Sequence, residues 1–352
     1  MGTYSSPQAV DFLAAGPELW QRYHEFRRAR QKEERPDDPV RPDDAEERRL
    51  KRANPQDFEY RYEISSGGVI VSMLGASTVR PANPEYATNK HLMWMDAYVR
   101  PSHRRRRIGA SWLAVILELM DRHGCTTLGI GTVDEAGHAF LRWLGAEAKL
   151  IGAENRLRVA DVDWAMVERW VREGQQRSPH TKLEIHDGRV PEAMWTALAS
   201  SLTAMFSAAP MDDLDHGDSI STPESIRYYY ERMEAAGETT LSALTREPDG
   251  IVTGFTEVTW APYRPAIIQQ QFTGVVPSAT GRGLGKWVKA AMLLHLRELY
   301  PDFQWMSTGN AGSNAPMLAI NQRLGFRHYR TETEYQVTRD QIAARLGGQQ
   351  PA

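Results

Sequence analysis

The chain repeats itself. The stretch "VRPSHRRRRIGASW" at 99–112 lies over "VVPSATGRGLGKWV" at 275–288 without a gap, an offset of 176 residues (99 against 275). Val99 matches Val275, Pro101 matches Pro277, Ser102 matches Ser278, Arg106 matches Arg282 and Gly109 matches Gly285. In a chain of 352 residues that offset is half the length, so the fold must supply one supersecondary unit twice. Each copy follows a strand-like stretch ("HLMWMDAYV"; "IIQQQFTGVV") and opens an amphipathic helix. The apolar stripes are Ile108, Trp112, Ile116 and Leu119 in the first, and Leu284, Val288, Met292, Leu296 and Leu299 in the second.

A second pair of segments occupies matching places. "TTLGIGTVDEAGHAFLRWLGAEA" and "FQWMSTGNAGSNAPMLAINQRLGFRHY" both read as strand, loop, short helix, then Leu-Gly. Asn314 can cap its helix with Pro316 in the first turn, and Gly325 supplies a left-handed exit. "VDWAMVERWVREGQQRSPH" reads as a connecting helix that runs into a polar linker. The expected division is a first domain over 1–165, a connector over 166–181, a second domain over 182–338 and a tail over 339–352, a helix expected to fray.

Composition narrows the class. Hydrophobic content of 41% and charged content of 25% are those of an ordinary globular protein. A net charge of -3 gives no global pull toward nucleic acid or anionic membrane. One cysteine, Cys125, rules out an internal disulfide framework and fits a reducing cytoplasm, as does a start with no signal-peptide order. No apolar run approaches the ~18 residues of a membrane span.

The glycine turn is where the chemistry points. Gly281, Gly283 and Gly285 strip side chains from a helix start, where unpaired N–H groups and the helix dipole favour an anion. A Walker loop is excluded, because Thr280 stands five residues before Gly285 and Trp287 follows Lys286. A dinucleotide fingerprint fails too, since Lys286 occupies the place of its last glycine. A phosphate cradle of another kind remains, beside the plainer alternative of a permissive helix start with no ligand.

The pattern [QR]-x-x-G-x-[GA] after a strand, with an Asn-led helix ending in L-G-F, resembles the GNAT superfamily of acyl-CoA-dependent N-acyltransferases. The match runs from about Leu183 to Val337 in the second half and, more weakly, from about residue 8 to 160 in the first. Two such domains in one chain are similar to the tandem GNATs, of which mycothiol synthase is one kind. The resemblance implies a mixed α/β (α+β) fold, each domain a mostly antiparallel sheet with a splayed central strand flanked by helices. It implies acetyl-CoA as co-substrate and no metal. Val275 and Val276 would contact the pantetheine, with Asn314 beside it. Thr280, Gly281, Arg282, Gly283, Leu284, Gly285 and Lys286 would surround the pyrophosphate. In the first half the matching positions are Val99, Arg104, Arg107 and Gly109.

The departures rank the halves. Thr280 replaces the usual Gln or Arg at the motif's opening, but both required glycines, Gly283 and Gly285, are kept. In the first half Arg107 occupies the first glycine position, where a side chain crowds the phosphates or strains the turn unless its guanidinium swings out to bind one. The second domain is therefore expected to be catalytic and the first degenerate. The family's proton-donating Tyr is replaced by Asn321 in the second half and Leu141 in the first. A thiol pKa near ~8.5 still leaves the thiolate a tolerable leaving group. For the base, Glu257 in "GFTEVTWA" is the first choice and Asp96 in "MWMDAYV" the second.

The expected reaction is transfer of an acetyl group to a primary amine of a small molecule, through a ternary complex. The loop "AAPMDDLDHGDSISTPES", with Asp212, Asp213, Asp215 and Asp218, would draw a cationic acceptor, unless it is merely a solvated loop. Two other readings stand beside this one. One is a peptide or protein N-acyltransferase; the other is an acyl-CoA-binding or scaffolding protein descended from the enzyme.

Overall fold

The computed structural model describes residues 3–348 and divides into two compact units. Unit 1 takes the chain up to Ile151, the short segment Asp212–Asp218, and everything from Glu332 onward. Unit 2 takes Gly152–Met211 and Ser219–Thr331.

Unit 1 begins with β1 (Gln8–Ala9), α1 (Pro17–Glu34) and α2 (Asp43–Leu50). A long hairpin follows, β2 (Asp57–Ser66) and β3 (Val69–Val79), turned by Gly67 and Gly68 at positive φ. Next come α3 (Tyr86–Asn89), β4 (Leu92–Val99), α4 (Ile108–His123), β5 (Thr127–Thr132) and α5 (Glu135–Leu144). Strands β1 to β4 pair antiparallel in order, and β4 pairs parallel with β5. The stripe anticipated on α4 is the core: Trp112, Ile116 and Leu119 are buried against Leu74, Met93 and Leu128.

β6 (Glu147–Arg158) leaves unit 1 and ends in unit 2. There α6 (Trp164–Arg177), β7 (Lys182–Asp187), α7 (Trp195–Ser207) and α8 (Pro223–Ala235) precede a three-stranded meander. Its strands are β8 (Thr239–Arg246), β9 (Val252–Trp260) and β10 (Ile267–Val275). Then follow α9 (Leu284–Leu299), β11 (Trp305–Ala311), α10 (Ala315–Leu324), β12 (Arg327–Thr338) and α11 (Arg339–Gly347). Strands β7 to β10 pair antiparallel, and β10 pairs parallel with β11.

Each sheet is finished by a strand from the other half of the sequence. In unit 1 residues Thr333–Thr338 of β12 pair with β5, and in unit 2 residues Gly152–Arg158 of β6 pair with β11. Unit 1 therefore buries Tyr335, Val337 and Ile342 in its own core, while Leu157 and Val162 belong to that of unit 2. Two expectations change as a result. The connector expected over 166–181 is α6, whose Val167 and Trp170 are buried in unit 2 because its apolar stripe packs on α9. Of the tail expected to fray, Arg339–Gly347 is α11, held by a Thr338–Gln341 capping box, a buried Ile342 and an Arg339–Asp121 ion pair, and 349–352 lie outside the described residues.

Candidate functional site

In unit 2 the chain leaves β10 and enters α9 through a tight left-handed turn. Gly281 has φ 79° and Gly283 has φ 82°, and Gly283 is the residue immediately before the helix. Only glycine takes these angles without steric cost. A β-carbon on Gly281 would meet nothing within 4 Å, so the turn is open above the helix start. One on Gly283 would sit 3.4 Å from a guanidinium nitrogen of Arg177 and 3.8 Å from the Lys286 side chain. The first-turn N–H groups thus share their opening with two cations, which is the make-up of an anion site.

Beside the turn the sheet parts. β10 and β11 pair only from Ile267↔Trp305 to Gln270↔Thr308, and β10 carries a bulge between Gln270 and Phe272. Beyond it β10 stays on β9 while β11 follows β6, leaving a gap. Val276 donates its N–H to the Thr253 carbonyl at 3.0 Å. Alternation along an antiparallel ladder turns the Val275 N–H to the opposite edge, into the gap.

Across from Phe272, at the bulge, stands Glu257 of β9. It is buried, 6% exposed, and burial pushes its carboxyl up to about 7 against the pull of Tyr229 and Ser242. Ser242 donates to it at 3.2 Å. The Tyr229 hydroxyl makes no hydrogen bond of normal length, yet burial and the nearby Glu257 hold its pKa well above the ordinary value. On the other face of the sheet Lys289 of α9 is buried at the same level, its Nζ donating to Gln270 Oε1 at 2.5 Å. Burial pushes that ammonium down to about 7.

Unit 1 has the same outline with different contents. β4 and β5 pair only from Leu92↔Thr127 to Met95↔Ile130 before parting, and β4 has no bulge against β3. Its turn takes the same left-handed angles with arginines, Arg105 at φ 61° and Arg107 at φ 64°. Left-handed backbone costs a non-glycine residue about 1–2 kcal/mol. Arg104 donates from Nε to the Val99 carbonyl at 3.0 Å, and its guanidinium lies 3.7 Å from Asp134 at the start of α5. The same guanidinium pairs more closely with Glu33 of α1, at 2.8 Å, so the tie from β4 toward the start of α5 is its weaker contact.

Residues 19–146, most of unit 1, match the acetyltransferase (GNAT) family model. The whole chain superimposes on a tandem GNAT protein from the clavulanic acid biosynthesis pathway with a TM-score of 0.73 and 20% identity, covering 96% of this chain and 99% of that one. A GCN5-related N-acetyltransferase from Sphaerobacter thermophilus gives 0.61 at 13% identity, with 96% of each chain covered. A glucosamine N-acetyltransferase region of a fungal multi-domain β-N-acetylglucosaminidase gives 0.65 at 14%, covering 96% of this chain and 38% of that one. No curated protein matches the sequence. The first unit thus carries a GNAT-family match, and the whole chain has the fold of a tandem GNAT protein. The family match falls on the half that the motif made the weaker, and the second unit is placed by its fold.

Within this GNAT frame the anticipated residues have definite places. Gly281, Gly283, Leu284, Gly285 and Lys286 form the turn and first helical residues, with Gly285 packed near Val275 and Ile320. Arg282 is engaged elsewhere, donating to Glu247 at 2.8 Å and to Ser178 and Thr181. Thr280, a departure from the motif, donates to the Pro277 carbonyl. Asn314 caps α10, accepting from the Met317 N–H at 3.3 Å. Asn321 is buried and donates to Asn310 at 2.7 Å. In unit 1 Gly109 packs under Phe140, and Leu141 is core.

The acids divide. Asp96 is locked in a two-pronged ion pair with Arg30 (2.5 and 2.7 Å), which holds its carboxyl below the usual range against the opposing effect of burial. Such a carboxylate is a poor base. Asp212, Asp213 and Asp215 belong to unit 1, whereas Glu257 belongs to unit 2. Asp215 bonds His91 at 3.0 Å, its backbone N–H and carbonyl exchange hydrogen bonds with the side-chain amide of Gln336, and Asn89 holds Gly217. Arg177 was missed, because in sequence it ends a connecting helix and only the packing of α6 on α9 carries it to Gly283. Among the described residues no His/Cys/Asp/Glu cluster could hold a metal ion, and no helix is long and apolar enough to cross a membrane.

Proposed function

We propose that unit 2 is the working transferase of this chain, moving an acetyl group from acetyl-CoA to a primary amine of a small molecule. What carries this reading is the turn at 281–286: left-handed glycines, open space above Gly281, two cations at Gly283, and the parting of β10 from β11 beside them. Acetyl-CoA, when bound, supplies an acyl group activated as a thioester.

The residues present fit that co-substrate. The N–H groups of the 281–286 turn would face its pyrophosphate, with Arg177 and Lys286 adding charge in place of the engaged Arg282. Val275 would offer its free N–H, while Val276 shapes the strand and Asn314 fixes the helix start across the gap. The same N–H at the gap is placed to stabilise an oxyanion. Glu257 would take the proton from the acceptor ammonium, through Tyr229 or a water. An acid poised near neutrality is well matched to that role, since an ordinary carboxylate is too weak a base and a free ammonium at pKa ~10.4 cannot attack. Asn321, a neutral amide, cannot return a proton to the leaving thiolate, which departs unprotonated or takes one from solvent.

In unit 1 the matching turn has Arg107 where unit 2 has Gly283, and Arg104 is engaged with the Val99 carbonyl and with Glu33 and Asp134, while Gly109 packs against Phe140. Asp96 is spent on Arg30, and the Asp212–Asp215 loop on its own unit, so neither enters the reaction as drawn. Release of free thiol from acetyl-CoA across a panel of primary amines tests the reading. Turnover by the wild type and its loss in Gly283→Glu supports it. Tight acetyl-CoA binding without thiol release from any amine would leave a binding protein instead of an enzyme.

A further inference from the structure

Unit 1 holds a cavity of about 400 Å³ that the transferase reading does not use. Its floor is the outer part of the sheet, β2, β3 and β4, and its walls are α1 and α2. One row of the floor runs straight across three strands. Arg61 is paired with Gly75, and Gly75 with Asp96. Gly75 has no side chain, so the Arg61 guanidinium lies over it, about 3.7 Å from where a β-carbon would stand. The lining is otherwise aromatic or apolar on one side, with Phe12, Phe26 and Trp94.

Four arginines reach the cavity, and three are already neutralised. Arg27 is paired with Asp43, Arg49 with Glu46, and Arg30 with both Asp96 and Glu34. Arg61 is different. It is paired only loosely, with Glu59 3.4 Å from one nitrogen and Asp96 feeling its charge across Gly75, and its other bond goes to the carbonyl of the neighbouring Tyr60. Its fork is left half used, facing a space walled by rings.

We propose that this cavity binds a small monocarboxylate with an aromatic or alicyclic body. The carboxylate sits on Arg61 over Gly75, and the ring packs against Phe12, Phe26 and Trp94. A guanidinium presents two parallel N–H groups to a carboxylate, and a semi-enclosed wall weakens the competition from water. Asp96, held by Arg30, repels a second negative charge and so favours one carboxylate over two. The site is independent of the glycine turn of unit 2 and needs no acetyl-CoA.

Calorimetry on the full chain, with phenylacetate and phenylacetamide as probes, tests this. The two share a shape, and only the acid can use the fork. The expected result is that phenylacetate binds tighter by about tenfold or more at low salt, in line with hydrogen bonds to a charged group. Arg61→Gln should bring the acid down to the amide's affinity and leave the amide unchanged. Equal affinity of the two probes for the wild type overturns the proposal with no variant needed, as does the absence of binding by either at millimolar concentration. A folded Arg61→Gln protein that keeps the preference overturns it too.

Discussion

The two units present one architecture with opposite turns. Both part their central strands at the same level, and both enter the following helix through two left-handed residues. In unit 2 these are Gly281 and Gly283, and the space above Gly281 is open. In unit 1 they are Arg105 and Arg107, and Arg104 is engaged with the strand's Val99 and with Glu33 and Asp134. The backbone path outlasts the glycines that would make it cheap. A fold can keep the shape of such a turn, at a cost of about 1–2 kcal/mol per strained residue, where side chains stand in place of its glycines.

The comparison breaks most visibly at Glu257, which has no acidic counterpart free to act in unit 1. Glu257→Gln keeps shape and removes basicity, and should lower kcat at neutral pH by about 10²–10⁴-fold. The deficit should narrow as pH rises toward the amine's own pKa. The wild-type rate should climb through about pH 7, where the carboxyl ionises. Stability moves the other way: a carboxyl raised in the folded state binds its proton more tightly than in the unfolded chain. Its burial therefore costs progressively more as pH rises from the unfolded value near ~4.3 toward 7. Glu257→Gln should gain thermal stability over the wild type at pH 8 and little at pH 4.5. A pH–rate profile parallel to wild type would reduce Glu257 to a strand residue.

The turn is the next place to strike. Gly283→Glu brings a carboxylate and a strained backbone to the anion opening, and acetyl-CoA affinity by calorimetry should fall about a hundredfold, roughly 2.7 kcal/mol. Unchanged affinity in a folded protein would move the co-substrate elsewhere, and would leave the Arg61 cavity untouched as a separate question.

The reverse substitution sharpens the contrast. Arg107→Gly relieves the left-handed strain but frees the unfolded chain, so unit 1 should gain about 0.5–1 kcal/mol in denaturant melts. A loss would mean that the Arg107 side chain stabilises the turn by more than its backbone costs. The smallest effect is expected at Asp96. With its carboxylate committed to Arg30, Asp96→Ala should leave kcat/KM within about threefold. A hundredfold loss would transfer catalysis to unit 1, the half that the family model matches.

Much of this was legible one segment at a time. Helix stripes such as Trp112–Ile116–Leu119, the Asn314 cap with Pro316, and the Gly325 exit depend on neighbours within a turn or two, so the residues announce them. The glycine turn was readable for the same reason, whereas the parting of the strand beside it was expected only from the resemblance to the GNAT superfamily. Glu257 could be singled out as an acid in an apolar strand, but its neutral-range carboxyl comes from burial in the folded sheet, which outweighs the opposing pull of Tyr229 and Ser242.

What tertiary structure alone decided was partnership at long range. Nothing near Arg282 in sequence says that Glu247 and Thr181 will occupy it, or that Arg177 will stand at the turn in its place. The Asp212–Asp218 loop reads as a lure for cations until it is seen bonded to His91, Asn89 and Gln336 of unit 1. The exchange of β6 and β12 between the sheets is of the same kind. Strands of like pattern can close either sheet, and local propensity is equal for both choices. The free energy that separates them lies in which core takes in Leu157, Tyr335 and Val337, a sum over contacts that only the folded chain assembles.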